Sequence, residues 1–180
     1  MRGGLISAND VKMRPRRTVF LEVEGESERV YFTRLARMSD KVSVICKVSK
    51  DKNCVDMVNN CVRDSAIKGL EEDDIKVVVF DIDVVKEEDL VEAMRIASEN
   101  GILIAASNLS FELWLLMHLE DVHKIDTLDG YEDRISQIIG REYRKSVGLK
   151  DRINQSSVEE VIGRGWRYSV TATRGRNTCM

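Results

Sequence analysis

The chain reads as an α/β domain: about four mostly parallel strands flanked by helices, a three-layer sandwich. Three observations predict it. Short β-branched runs alternate with helix-period stretches four times over, the pattern of repeated strand-helix units. The run Ile75–Phe80 is apolar apart from Lys76, which suits a strand covered on both faces. Two strand-like runs stop on acids, at Glu24-Gly25 and at Asp81-Ile82-Asp83. In open parallel sheets, ligands gather beyond the carboxyl ends of strands.

The elements follow in order. Residues 1–16 form a flexible basic arm with Arg14 and Arg16, and the only proline is Pro15. Thr18–Val23 is the first strand. Residues 26–39 place Val30, Tyr31, Leu35 and Met38 at helical spacing. Val42–Val48 is a second strand, and 54–70 is an amphipathic helix on Val55, Val58, Val62, Ala66 and Leu70. Ile75–Phe80 is the third strand, and 87–99 a helix with Leu90, Met94 and Ala97 inward. Ile102–Ala106 is the fourth strand. Phe111–Leu119 is apolar nearly all round, which predicts a buried helix; weaker helical patterns cover 131–140 and 157–162. The domain spans 17–163, and 164–180 is a basic tail. Right-handed crossovers place the helices on the sheet faces, but the pattern leaves strand order open.

Composition narrows the class. With 180 residues, 43% apolar and 33% charged, the chain suits one well-buried domain. No apolar run reaches the roughly 18–20 residues of a membrane span, and no apolar signal core opens the chain. A cytoplasmic location without membrane contact is the expectation. Cys46, Cys54, Cys61 and Cys179 form no C-x-x-C pair, which disfavours zinc; reduced, buried thiols fit better. A net charge of −3 argues against a protein that coats polyanions indiscriminately, yet a nucleic-acid enzyme can be acidic overall and basic along one groove.

The acids at the strand ends are the candidate site. Glu24 stands where a strand turns into a helix, with Gly25 easing a sharp turn. Glu28, four residues on, could point back toward it, although Glu26 and Glu28 would equally complement a helix N-terminus, with Ser27 helping to cap it. Asp81 and Asp83 fall on one side of an extended chain, and an ordinary turn would also use them. Carboxylates gathered at one edge repel unless a cation neutralises them, and hard oxygen ligands suit Mg²⁺ or Mn²⁺. Ser107, Asn108 and Glu112 lie at a third strand end. Asn108 or Ser110 could cap the next helix, and Glu112 is the only acid in that apolar helix. His118 reads as a satisfied core histidine. Arg141, Arg144 and Lys145 around Tyr143, and Arg164 and Arg167 near Trp166 and Tyr168, mix cations with aromatics as nucleic-acid surfaces do. Solvated loops would look the same.

Together these motifs resemble a family. Glu24-Gly25-Glu26-Ser27-Glu28 with Tyr31-Phe32, then Asp81-Ile82-Asp83, then Ser107-Asn108 followed by Phe111-Glu112-Leu113-Trp114 and His118, are similar to the motifs of RloB-like proteins. Those proteins are associated with restriction and phage-defence gene clusters and resemble the Toprim domain. Leu109 stands where that family usually has proline. The resemblance covers roughly residues 16–145. It implies a Toprim-like fold and a nuclease using Mg²⁺ or Mn²⁺ and water. Glu24 would be a metal ligand or general acid/base, Asp81 and Asp83 metal ligands, and Glu28 a holder of a second ion. It also implies a neighbouring ATPase, hence the alternative of a non-catalytic or regulatory partner subunit. A third reading takes Val77–Val85 as the start of a haloacid-dehalogenase-like phosphatase with Asp81 as nucleophile. That fold needs a later strand ending in an acidic pair, and no run after residue 120 provides one.

Overall fold

The computed structural model describes residues 16–83, 85–108, 110–122, 128–149 and 152–164. Its elements are β1 (Arg17–Val23), α1 (Glu26–Ala36), β2 (Val42–Val48), α2 (Cys54–Ile67), β3 (Ile75–Asp81), α3 (Glu87–Glu99), β4 (Ile102–Ser107), α4 (Phe111–Met117) and α5 (Leu128–Ile139). A further helix, α6, runs over 155–164. The four strands pair in the order β2-β1-β3-β4, all parallel. Val23 faces Val48 on one side and Val79 on the other, and Asp81 faces Ser107. All four strands therefore end along one edge.

Strand alternation sorts the core into layers. Phe20, Val78 and Phe80 pack with Cys54, Met57, Val58 and Cys61 of α2 and Ala93 and Ala97 of α3. Leu21, Val23 and Val79 face the opposite way, against Phe32 of α1. A third cluster joins Tyr31 to Phe111, Leu115, Tyr131, Ile135, Tyr143, Leu149, Ile153 and Val161. The segment after α5 is thus part of the core. Asn53 starts α2: its Oδ1 accepts from the backbone N–H of Val55 at 2.8 Å, supplying one of the bonds a helix start lacks. His118 is buried and bonded through Nε2 to the Tyr31 hydroxyl at 3.1 Å, as the sequence suggests.

Three local expectations change. On α3 the buried residues are Ala93 and Ala97, whereas Met94 is 57% exposed. Small side chains let α3 approach α2, and that close approach selects the inward face. On α2 the buried stripe is Cys54, Met57, Val58, Cys61 and Ser65, and Ala66 is exposed. The expected stripe of Val55, Val58, Val62, Ala66 and Leu70 is rotated, because the free cysteines here serve as small apolar residues. Met38 lies beyond the end of α1 and is exposed. Cys179 lies outside the described residues.

Gly148 gives a stability prediction. Its φ is +56°, and a Cβ there would lie 2.9 Å from Cγ1 of Val30. Gly148→Ala combines the left-handed backbone penalty with overpacking and should destabilise by about 2–4 kcal/mol, read as a lower urea midpoint with an unchanged slope.

Candidate functional site

The carboxyl edge of the sheet gathers acids from three elements. Glu24 follows β1 and extends its pairing, its N–H donating to the Val79 carbonyl at 3.0 Å. Its Oε2 accepts the backbone N–H of Asp81 at 3.0 Å, so the carboxylate is fixed against the end of β3. The Lys52 ammonium donates to the Glu24 carbonyl. Gly25 is extended, with φ −143°, a conformation open to any residue, so turning freedom does not explain it. A Cβ at Gly25 would sit 3.0 Å from Oε2 of Glu28. The glycine leaves room for the Glu28 carboxylate, which folds back over it from the first turn of α1.

Electrostatics show how closely these acids feel one another. Glu28 is 4% exposed. Burial, followed by the charges of Glu112 and Glu24, pushes its carboxyl up to about 7, against the opposing pull of its own backbone hydrogen bond and of Lys52. Asp81 is also pushed up to about 7, first by burial and then by Glu28, Glu24, Glu112 and Asp83. Asp81 Oδ1 is buried and has no hydrogen-bond partner among the described residues, an uncommon state for a buried carboxylate oxygen. Asp83 lies on the exposed rim, in the turn after β3.

Glu112 occupies the first turn of α4 and is 2% exposed. Ser27 Oγ donates to its Oε1 at 2.8 Å and the Tyr143 hydroxyl does so at 3.3 Å. Ser27 and Tyr143 are themselves 3.1 Å apart, and the Lys145 ammonium lies 3.6 Å from Glu112. This hub ties the start of α1, which carries Glu28, to α4 and to the chain beyond α5. Removing the hydroxyl with Tyr143→Phe should cost about 1 kcal/mol, a fall in Tm of roughly 2–4 °C.

The third strand end contributes less. The Ser107 carbonyl accepts the Ile82 N–H at 2.9 Å, which fixes the backbone after Asp81. Asn108 is exposed. Ser110 stands at the N-cap of α4, but its side chain makes no cap bond, and its hydroxyl is buried without a partner among the described residues. The capping expected of it is not made.

The structure therefore brings together Glu24, Glu28, Asp81 and Glu112 and leaves Asp83 at the rim. Among the described residues, no three His, Cys, Asp or Glu side chains already stand around one point as metal ligands. The chemistry of the donors fits a hard divalent cation: all are carboxylates, two resist ionisation, and one buried oxygen lacks a partner. Sequence reasoning missed Ser27 and Tyr143 as members of the hub, and Lys52. Only Glu112, a lone acid in an apolar helix, signalled that polar partners had to meet it.

The expected cationic patch is mostly engaged within the chain. Tyr143 is buried. Arg144 pairs with Glu142 at 2.8 Å, and Lys145 with Glu132 at 3.2 Å. Arg164 pairs with Asp121 at 3.0 Å and donates to the Met117 carbonyl. Arg141 is exposed, and Arg167 lies outside the described residues.

Fold and site together define a parallel α/β domain with an acidic cluster at the carboxyl edge of its sheet. The family model described as RloB-like protein matches residues 19–174, and the chain belongs to that family. The match runs past residue 145, where the recognisable motifs end. Searches of curated proteins and of solved structures returned no match. No helix among the described residues is long and apolar enough to cross a membrane.

Proposed function

We propose that this chain is a Toprim-like nuclease that hydrolyses a phosphodiester of nucleic acid with Mg²⁺ or Mn²⁺, in a defence system as the family resemblance implies. One observation carries the reading: Glu24, Glu28 and Asp81 converge at the sheet edge, where Asp81 keeps a buried oxygen without a partner. Glu24 and Asp81 would hold the cation, with Glu28 and Asp83 completing the oxygen set. Such a cation supplies polarisation of the phosphoryl group and stabilisation of the leaving oxygen. The Asp81 N–H orients the Glu24 carboxylate, and the void above Gly25 lets Glu28 lie beside it.

Incubating the purified chain with duplex DNA, single-stranded DNA and RNA tests the reading. Cleavage in Mn²⁺ or Mg²⁺ that stops in excess chelator is the expected result. No cleavage of any substrate, beside an active control nuclease, would overturn it for the isolated chain.

One observation favours a second reading, a regulatory subunit of an ATPase complex. The acids are not pre-set as metal ligands among the described residues, and Lys52 and Lys145 already lend them positive charge. Cation binding without cleavage would support that reading. The phosphatase alternative gains nothing: among the described residues no strand follows Ser107 to bring an acidic pair beside Asp81.

A further inference from the structure

The sequence places the nucleic-acid contact on Arg141, Arg144, Lys145, Arg164 and Arg167; of these, Arg144, Lys145 and Arg164 are ion-paired within the chain, and Arg167 lies outside the described residues. A different cationic surface lies on the other flank of the acidic site. The chain leaving β2 stays beside Glu24: the Ser49 N–H donates to the Val23 carbonyl at 2.8 Å, and Lys52 reaches the Glu24 carbonyl. From there a cleft of about 340 Å³ runs along α2, lined by Lys47, Lys50, Arg63 and Lys68 with Asp51 and Asp64.

The cations of this cleft outnumber its acids, four to two. Asp64 is paired with Lys47 and with Arg63, and Asp51 accepts from Asn60 at 2.8 Å. Lys47 is drawn inward by Asp64 and by buried Glu22, 3.5 Å away. That leaves Lys50 and Lys68, both exposed, with no ion pair to any described residue; Arg63, held by Asp64 and by the Asn60 side chain, still presents most of its side chain to solvent between them. Lys68 at the end of α2 also complements the helix dipole, but that role does not account for Lys50 or for the cleft between them.

Resting on the nuclease reading, we infer that the phosphodiester backbone of the nucleic acid runs along this β2–α2 flank, across Lys68, Arg63 and Lys50, toward Lys52 at the acidic site. Spaced cations that outnumber the acids beside them meet a chain of phosphates, and contacts of this kind position a strand without reading its sequence. The 141–145 segment is then mainly a brace for Glu112.

Fluorescence anisotropy with a labelled oligonucleotide, in chelator to prevent cutting, tests the inference. Lys50→Glu/Lys68→Glu alters exposed side chains only, and circular dichroism confirms folding. It should weaken binding at low salt at least tenfold and flatten the salt dependence by about one to two charges. Lys50→Arg/Lys68→Arg should bind as the parent does, and Arg141→Ala/Arg144→Ala should change affinity by no more than about twofold. If the parent chain binds and Lys50→Glu/Lys68→Glu binds equally well, or if both cation-removing variants lose equally, the inference is overturned and the nuclease reading stands. If the parent chain binds no nucleic acid, the nuclease reading falls and the inference falls with it.

Discussion

Asp81→Asn should abolish metal-dependent cleavage, lowering kcat at least a thousandfold, or about 4 kcal/mol of transition-state stabilisation. The side chain keeps its shape, and the backbone N–H that orients Glu24 is untouched, so the loss would report the oxygen donor itself. Glu24→Gln should cost a similar amount, because that carboxylate is fixed at the centre of the cluster. Asp83→Asn should cost only about tenfold, since exposed Asp83 is free to be replaced by water as a ligand. Initial rates at saturating Mn²⁺ decide the matter. Asp81→Asn cleaving within tenfold of the parent would remove Asp81 from the chemistry.

The second large effect is on stability. Glu28 and Asp81 are each raised to about 7 in the fold, from ordinary values of 4.5 and 3.8. Between those limits the folded state binds more protons than the unfolded one, so stability falls as pH rises through the folded value. The metal-free protein should be less stable at about pH 8 than at about pH 5.5, by about 2 kcal/mol for one such group. The pair contributes less than twice that, because each charge is part of what raises the other. A fall in Tm of roughly 4–8 °C is expected. Asp81→Asn should flatten this slope and raise Tm at high pH, and Mn²⁺ should do the same for the parent chain, since an opposite charge favours the ionised carboxylates. Melting scans over pH in chelator check it; a Tm that rises toward pH 8 without metal would contradict the assignment of strain to these acids.

Much of the fold was legible because parallel strands announce themselves. Apolar runs such as Ile75–Phe80 have few other uses, and the helices between them carried clear periodicity. Strand order was not legible, since each strand of a buried parallel sheet looks alike; only the pairing of β1 with both β2 and β3 sets Glu24 beside Asp81. The acids were readable from their positions at strand ends. Their setting was not. Gly25 is explained by a carboxylate three residues later in the chain, and Glu112 by a serine and a tyrosine 85 and 31 residues away. Tyr143 sat among cations and resembled a surface residue until the packing of α5 and the following chain turned it inward. The cationic cleft beside α2 is built from Lys50, Arg63 and Lys68, spaced too widely to read as a cluster.

The claim that these carboxylates gather to share a cation meets its most direct test in calorimetric titration of Mn²⁺ into the parent chain and into Asp81→Ala, both above the carboxyl titration range at about pH 8. The account predicts saturable binding to the parent chain and none, or binding weakened at least a hundredfold, to Asp81→Ala. Absence of binding to either chain, or equal binding to both, would contradict it.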